Sequence, residues 1–308
     1  MGSTLLRIAL AFLTLASAAF AADADPVFDR PPQRSHDFSQ LLQKAERGDP
    51  HAQFLTGVAY ESGVGVEQNY GEAVRWYRKA ANSGDSGAQN NLGSMYGRGL
   101  GVPRSDTEAV KWYLRAATDG QRAAQYNLGF MYATGQGVTA NDETTVYWYR
   151  KAAAQDYAPA EDALATMYDQ GRAVPRDSKQ AVRWFREAAK KGYPASEFSL
   201  GYAYLRGHGV RPDAREAIEW FRKAAKHGSD AAAGVVAFAY EHGLGVPKDQ
   251  KEAGNWHRTA GEQGFAAAQR MLSVIEPLLH AASGENFAAK SLADTPRPAA
   301  NPAALAKQ

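Results

Sequence analysis

An all-α array of antiparallel helix pairs is the fold this chain predicts, on three observations. Its six tryptophans, Trp76, Trp112, Trp148, Trp184, Trp220 and Trp256, recur every 36 residues. Each is followed by an aromatic ring or a histidine (Tyr77, Tyr113, Tyr149, Phe185, Phe221, His257) and, four positions after the Trp, by an alanine (Ala80, Ala116, Ala152, Ala188, Ala224, Ala260). Glycines and helix-capping residues stand at fixed offsets from these rings and mark where each helix starts and stops. A fixed period of about 20 to 50 residues is the signature of a stacked repeat. No single unit of such an array buries its apolar face alone, so neighbours supply the core.

Residues 1–21 read as a secretory signal peptide: Arg7 gives a positive start, residues 8–19 are apolar, and Ala19-Phe20-Ala21 suits a signal peptidase. A run this short is marginal for crossing about 30 Å of hydrocarbon, so cleavage rather than anchoring is expected. No cysteine follows to carry a lipid, and no second apolar run of spanning length appears. The mature chain is therefore expected to be exported, most simply to a bacterial periplasm, with no transmembrane segment. Residues 22–36 are polar and proline-rich, a disordered lead-in. Residues 37–48 form a cap helix with Phe38, Leu41, Leu42 and Ala45 on one side, and Gln40 in the column that elsewhere holds Trp.

Six repeats follow, 49–84, 85–120, 121–156, 157–192, 193–228 and 229–264. The first helix of each carries a Tyr at 60, 96, 132, 168, 204 or 240, and a glycine three residues later. That glycine suits the left-handed residue that closes a helix. The second helix opens at Asn69, Ser105, Asn141, Asp177, Asp213 or Asp249, all good N-caps. Three positions on, Glu72, Glu108, Gln180, Glu216 and Glu252 (with Thr144 the exception) predict the reciprocal half of a capping box. Stops are expected at Gly84, Gly120, Gly192, Gly228 and Gly264, with Asp156 in that column at the end of repeat three. Residues 265–280 predict one last helix, limited or kinked by Pro277, and residues 281–308 a disordered tail.

The pattern written by residues 124–138 and 108–120 resembles the Sel-1-like repeat, a relative of the tetratricopeptide repeat. The resemblance covers about residues 37–280. It implies a right-handed α-solenoid and an adaptor that assembles other proteins, often at membranes or in bacterial envelope and host-interaction systems. Repeat four and the stop that leads into it depart most, with Asp156, Ala165 and Ala173 in place of glycines.

Columns identical in every copy are packing columns. The six Trp rings are expected as the core, each removing about 200 Å² from water, an upper bound of roughly 5 kcal/mol. Function belongs in columns that vary. Mapped onto the tetratricopeptide arrangement, the concave face carries Phe54, Tyr126, Phe130, Phe198, Tyr202 and Phe238, with Arg98 and Arg206 beside them. These eight are the candidate partner-binding residues, an amphipathic groove for an extended peptide or a helix. The same rings could instead fill the tight inner curve, and helical spacing alone does not separate the two.

Composition removes several classes. Lys plus Arg total 35 and Asp plus Glu 33, a net charge of +2, so no electrostatic case for nucleic acid exists. Cysteine is absent, which excludes disulfides and thiolate chemistry. No nucleophile elbow, Ser-x-x-Lys pair, His-Glu-x-x-His or phosphate loop occurs. His208 and His242 lie in neighbouring loop regions without the spacing of a known metal site. No cofactor, catalytic residue or metal ligand is assigned, a small-molecule ligand is not expected, and a monomer is. The function expected is that of an exported, non-enzymatic adaptor binding a protein or peptide. The alternative is a cell-wall-fragment or β-lactam binding protein or hydrolase. Periplasmic relatives of that kind are cysteine-rich, unlike this chain.

Overall fold

A computed structural model describes residues 35–283. The signal-peptide reading, most of the lead-in and nearly all of the tail lie outside the described residues. Every element among them is a helix. These are α1 (Ser35–Glu46), α2 (Pro50–Ser62), α3 (Tyr70–Asn82), α4 (Ser86–Arg98), α5 (Asp106–Thr118), α6 (Arg122–Thr134) and α7 (Asp142–Ala153). They continue as α8 (Ala158–Gln170), α9 (Ser178–Lys190), α10 (Pro194–Arg206), α11 (Ala214–Lys226), α12 (Asp230–His242) and α13 (Gln250–Ala282). The fold is an all-α solenoid of helix pairs with a 36-residue period. It divides into two compact units at Ala152 and Ala153. In the first, α2 pairs with α3 and α4 with α5, and α1, α4 and α6 pack on the helices before or after them in order. In the second, α8 pairs with α9, α10 with α11 and α12 with α13.

Second-helix starts follow the sequence reading, with one correction. The side chains of Asn69, Ser105, Asn141, Asp177, Asp213 and Asp249 each accept from the backbone N–H three residues on. The reciprocal capping-box bond is replaced, because the N-cap N–H donates instead to the Tyr carbonyl nine residues earlier. Asn69 N reaches Tyr60 O at 2.8 Å and Ser105 N reaches Tyr96 O at 2.9 Å. With that donor satisfied, Glu72 turns to Arg75 (2.9 Å) and Glu108 to Lys111 (2.6 Å).

The Trp column also needs correcting. Only Trp76 is sealed, whereas Trp112, Trp148, Trp184, Trp220 and Trp256 are half-buried. The fully enclosed ring is the one after Trp: Tyr77, Tyr113, Tyr149, Phe185 and Phe221 are buried. For four of these rings the cause lies in the first helix, where a glycine (Gly57, Gly93, Gly129 or Gly201) opens a slot. Opposite Phe185 the column holds Ala165, and that ring keeps 8% exposure. A Cβ on Gly93 would stand 2.8 Å from the Tyr113 ring, and one on Gly129 2.7 Å from Tyr149. The Trp itself covers the seam between repeats. Trp76 packs with Ala45 and Ala52, Trp112 against the cluster holding Ala81 and Ala88, and Trp148 against the one holding Ala117 and Ala124. A cation lies over the ring in three copies: Lys79 at 4.0 Å from Trp76, Arg115 at 4.6 Å from Trp112 and Lys223 at 3.8 Å from Trp220.

The second glycine of each Gly-x-Gly loop docks one repeat on the last. A Cβ at Gly101 would collide with the Tyr70 carbonyl at the start of α3. Repeat four places Ala173 in that column at φ 52°, and the helix stop just before it is Asp156 at φ 58°, the two non-glycine residues with positive φ among those described. At the far end the expected stop at Gly264 is displaced: Gly261 breaks the helix at φ 60°, ψ −177°, and α13 resumes and runs past Pro277 to Ala282. Pro277 removes one backbone donor, but Leu279 and His280 beyond it are buried, which holds the last turn in place.

Candidate functional site: the face of the first helices

In the first unit, α2, α4 and α6 carry a continuous chain of polar contacts. The Tyr77 hydroxyl, at the inner end of its slot, donates to Glu61 Oε2 at 2.6 Å. Asn91 Nδ2 donates to the Tyr77 oxygen at 3.2 Å, Asn90 Nδ2 to Asn91 Oδ1 at 3.3 Å, and Asn127 Nδ2 to Asn90 Oδ1 at 2.9 Å. Arg98 Nη1 lies 3.9 Å from Glu61 Oε1, a loose pair on the same face. Burial, then the Glu61 charge and bond, drive the Tyr77 phenol well above its ordinary pKa, so it is a fixed donor. All three asparagines are half-exposed. Each spends one amide N–H on this chain and keeps a second, together with spare acceptor capacity.

The second unit uses different chemistry in the same columns. Asp162 takes the place of Asn90 and accepts from Ser196 Oγ at 2.6 Å. Burial raises its pKa from 3.8 to about 6, the Ser196 bond opposing. Glu161 and Glu197 are both buried and replace Gln53, Gln89 and Gln125, whose amides donate to the carbonyls of Ala45, Ala81 and Ala117. A carboxylate has no such donor and takes a side-chain partner instead: the Lys191 ammonium, Nζ 2.6 Å from Glu161, and the His227 imidazole, Nδ1 2.8 Å from Glu197. Near the loops burial lowers the His208 pKa; Asp169 opposes this, and Arg206 and Arg176 add to it.

The eight candidate residues separate into two groups. Phe54, Phe130 and Phe198 are buried, with Phe54 against Tyr77 (6.0 Å between centroids) and Phe198 against Phe221 (4.9 Å). For these three the geometry favours filling the inner curve. Arg98 is exposed, and Tyr126, Tyr202, Arg206 and Phe238 are half-buried. Tyr126 stacks on Tyr149 at 5.6 Å, Arg206 donates to the Tyr202 hydroxyl at 3.0 Å, and Phe238 stacks on His242 at 4.1 Å. Asn91 and Asn127 were passed over by the sequence reading. Two adjacent asparagines inside a helix, where Asn is a poor former, were the available signal. Among the described residues no group of three or more His, Asp or Glu is placed to hold a metal.

Fold and face together define a helix-pair repeat protein whose first helices present a varied surface. The Sel1 repeat matches residues 50–85, 86–121, 122–157, 158–193, 194–229 and 231–265, and the chain belongs to the Sel1 repeat family. A Sel1 repeat protein from Oxalobacter formigenes is 32% identical over 74% of this chain and 91% of that one, with a TM-score of 0.69. The protein c5321, a protective antigen present in uropathogenic Escherichia coli strains that displays an SLR fold, is 31% identical with a TM-score of 0.66. That alignment covers 81% of this chain and 56% of c5321, so the chain spans little more than half of that relative. No match was found among curated proteins. Sel1 repeat proteins generally act as protein-interaction scaffolds. No helix among the described residues is long and apolar enough to cross a membrane.

Proposed function

We propose that this chain is an exported, non-catalytic scaffold that takes an extended protein or peptide segment on the first-helix face of α2, α4 and α6. The observation that carries the reading is the row of half-exposed carboxamides Asn90, Asn91 and Asn127. An extended main chain presents alternating amide donors and carbonyl acceptors, which a row of side-chain amides can match without reading sequence. Arg98 flanks the row, paired with Glu61 loosely enough to turn to an acidic partner group, while Glu61 stays on the Tyr77 hydroxyl. Export rests on the apolar leader of residues 8–19 and fits a role in the cell envelope.

The test is capture of a partner from envelope extract by the mature chain, beside an Asn90→Ala/Asn127→Ala variant and an Arg183→Ala control on a second helix. Retention by wild type and control, with loss by a still-helical Asn variant, supports the reading. Equal capture by all three moves the site off this face.

A further inference from the structure

The first-helix face changes character along the chain. In repeats two to four its inward columns carry the partly buried polar residues Asn90, Asn91, Ser94, Asn127, Asp162, Thr166 and Asp169, with Tyr126 and the buried Phe130 as the aromatic exceptions. In repeats five and six the equivalent columns carry Phe198, Tyr202, Leu205, Val235 and Phe238, with Ser199 and Glu241 as the polar exceptions. Here Leu205 is only 3% exposed, although Glu61, Gly97, Ala133, Asp169 and Glu241 in the same column are all partly open. Something covers the apolar end.

The cover is the last stretch of the chain. The second helices α3, α5, α9 and α11 each pack on the first helix of their own pair and of the next, with no comparable packing on the first helix of the pair before. The helix α13 packs on α12 and α11 and also reaches α10. Residues 250–260 occupy the ordinary second-helix place, so the reach to α10 belongs to the stretch beyond Gly261. The bend that redirects the chain uses a backbone conformation essentially restricted to glycine. Beyond it Ala268, Ile275, Leu279 and His280 are buried, while Pro277 is exposed, an amphipathic pattern with its apolar side inward.

We propose that the face of α10 and α12 is a seat for an amphipathic helix, occupied in this chain by its own residues 262–282. The seat is distinct in chemistry and place from the carboxamide row and does not depend on it. A tethered helix competes at an effective concentration on the order of millimolar, so an outside helix of similar pattern binds only when the resident one is displaced. The apparent affinity of the seat is therefore reduced by the fraction of molecules in which it stands open.

The experiment titrates a synthetic peptide of residues 262–283 into three full-length chains, read by fluorescence anisotropy. The chains are wild type, Ile275→Asp/Leu279→Asp, which spoils the resident helix's buried side, and Gly261→Val. The last forbids the bend while touching neither surface, since nothing lies within 4 Å of a Cβ at Gly261. Both variants are expected to bind the peptide at least about tenfold more tightly than wild type, with the repeat helicity kept. Equal binding to all three, or binding to none while the repeats stay folded, overturns the proposal. Collapse of the repeats in both variants overturns it too, because the segment would then be a fixed part of the core rather than an exchangeable occupant.

Discussion

Replacing Tyr113 by alanine should cost more than replacing its neighbour Trp112, although Trp is the larger ring and the more regular sequence marker. Tyr113 is 1% exposed and fills the slot opened by Gly93, so its loss leaves a cavity that the paired helices cannot close. The expected cost is about 3–5 kcal/mol for Tyr113→Ala and about 1–3 kcal/mol for the half-buried Trp112. Chemical denaturation of the two variants decides it, and equal losses would return Trp to the core. Asp162 gives a second test at this scale. Its pKa is raised to about 6 from 3.8, so the folded state holds its proton where the unfolded state has released it. Stability linked to this group is therefore greatest below about pH 4 and falls as pH rises towards about 6. Asp162→Asn keeps the acceptor for Ser196 and removes the titration. The variant should gain on the wild type between pH 4 and pH 7, by roughly 1–3 kcal/mol. Thermal melts at both pH values with an unchanged difference would refute the assignment.

At the scale of the helix, the caps separate what was legible from what was not. Ser105→Ala should cost about 1 kcal/mol, because the Ser105 hydroxyl satisfies the Glu108 N–H at 3.2 Å. Glu108→Ala should stay within about 0.5 kcal/mol, since its carboxylate meets an exposed lysine rather than the backbone. A large loss at Glu108 would restore the capping box. Starts and loop glycines could be read because caps and left-handed turns are local chemistry, set by one residue and its immediate chain. The capping-box error arose because the competing acceptor, the Tyr96 carbonyl, is brought to Ser105 by the fold of the loop, which no spacing rule reports. Trp was misplaced for a related reason. Periodicity says that 112 and 113 are both near the core, but only the glycine on the facing helix decides which ring enters. The carboxamide row was hidden because Asn90 and Asn127 stand 37 residues apart and meet only across stacked repeats. Gly261 was missed in favour of Gly264, since two glycines three residues apart look alike until the burial of Ile275 and Leu279 selects the bend.

For the molecule as a whole, the pattern of packing matters more than its amount. Within each unit the packing of the helices runs mainly between neighbours in order, apart from a small contact of α2 with α4 and the return of α13 to α11 and α10. Stability in such an array is approximately a sum of repeat terms and nearest-neighbour interfaces, so damage should spread by proximity in sequence. Tyr113 sits in α5, between α4 and α6. Its replacement by alanine should raise amide hydrogen exchange most in α4, α5 and α6 and progressively less along the chain, with α10 and α12 nearly unchanged. Those two helices also gain the cover of residues 262–282, which should make them slow to exchange. The measurement is native-state hydrogen exchange by mass spectrometry on wild type and Tyr113→Ala. A graded profile supports nearest-neighbour coupling. A uniform rise through all thirteen described helices would instead show one cooperative block, and the interfaces between repeats would then have to be stronger than the repeats themselves.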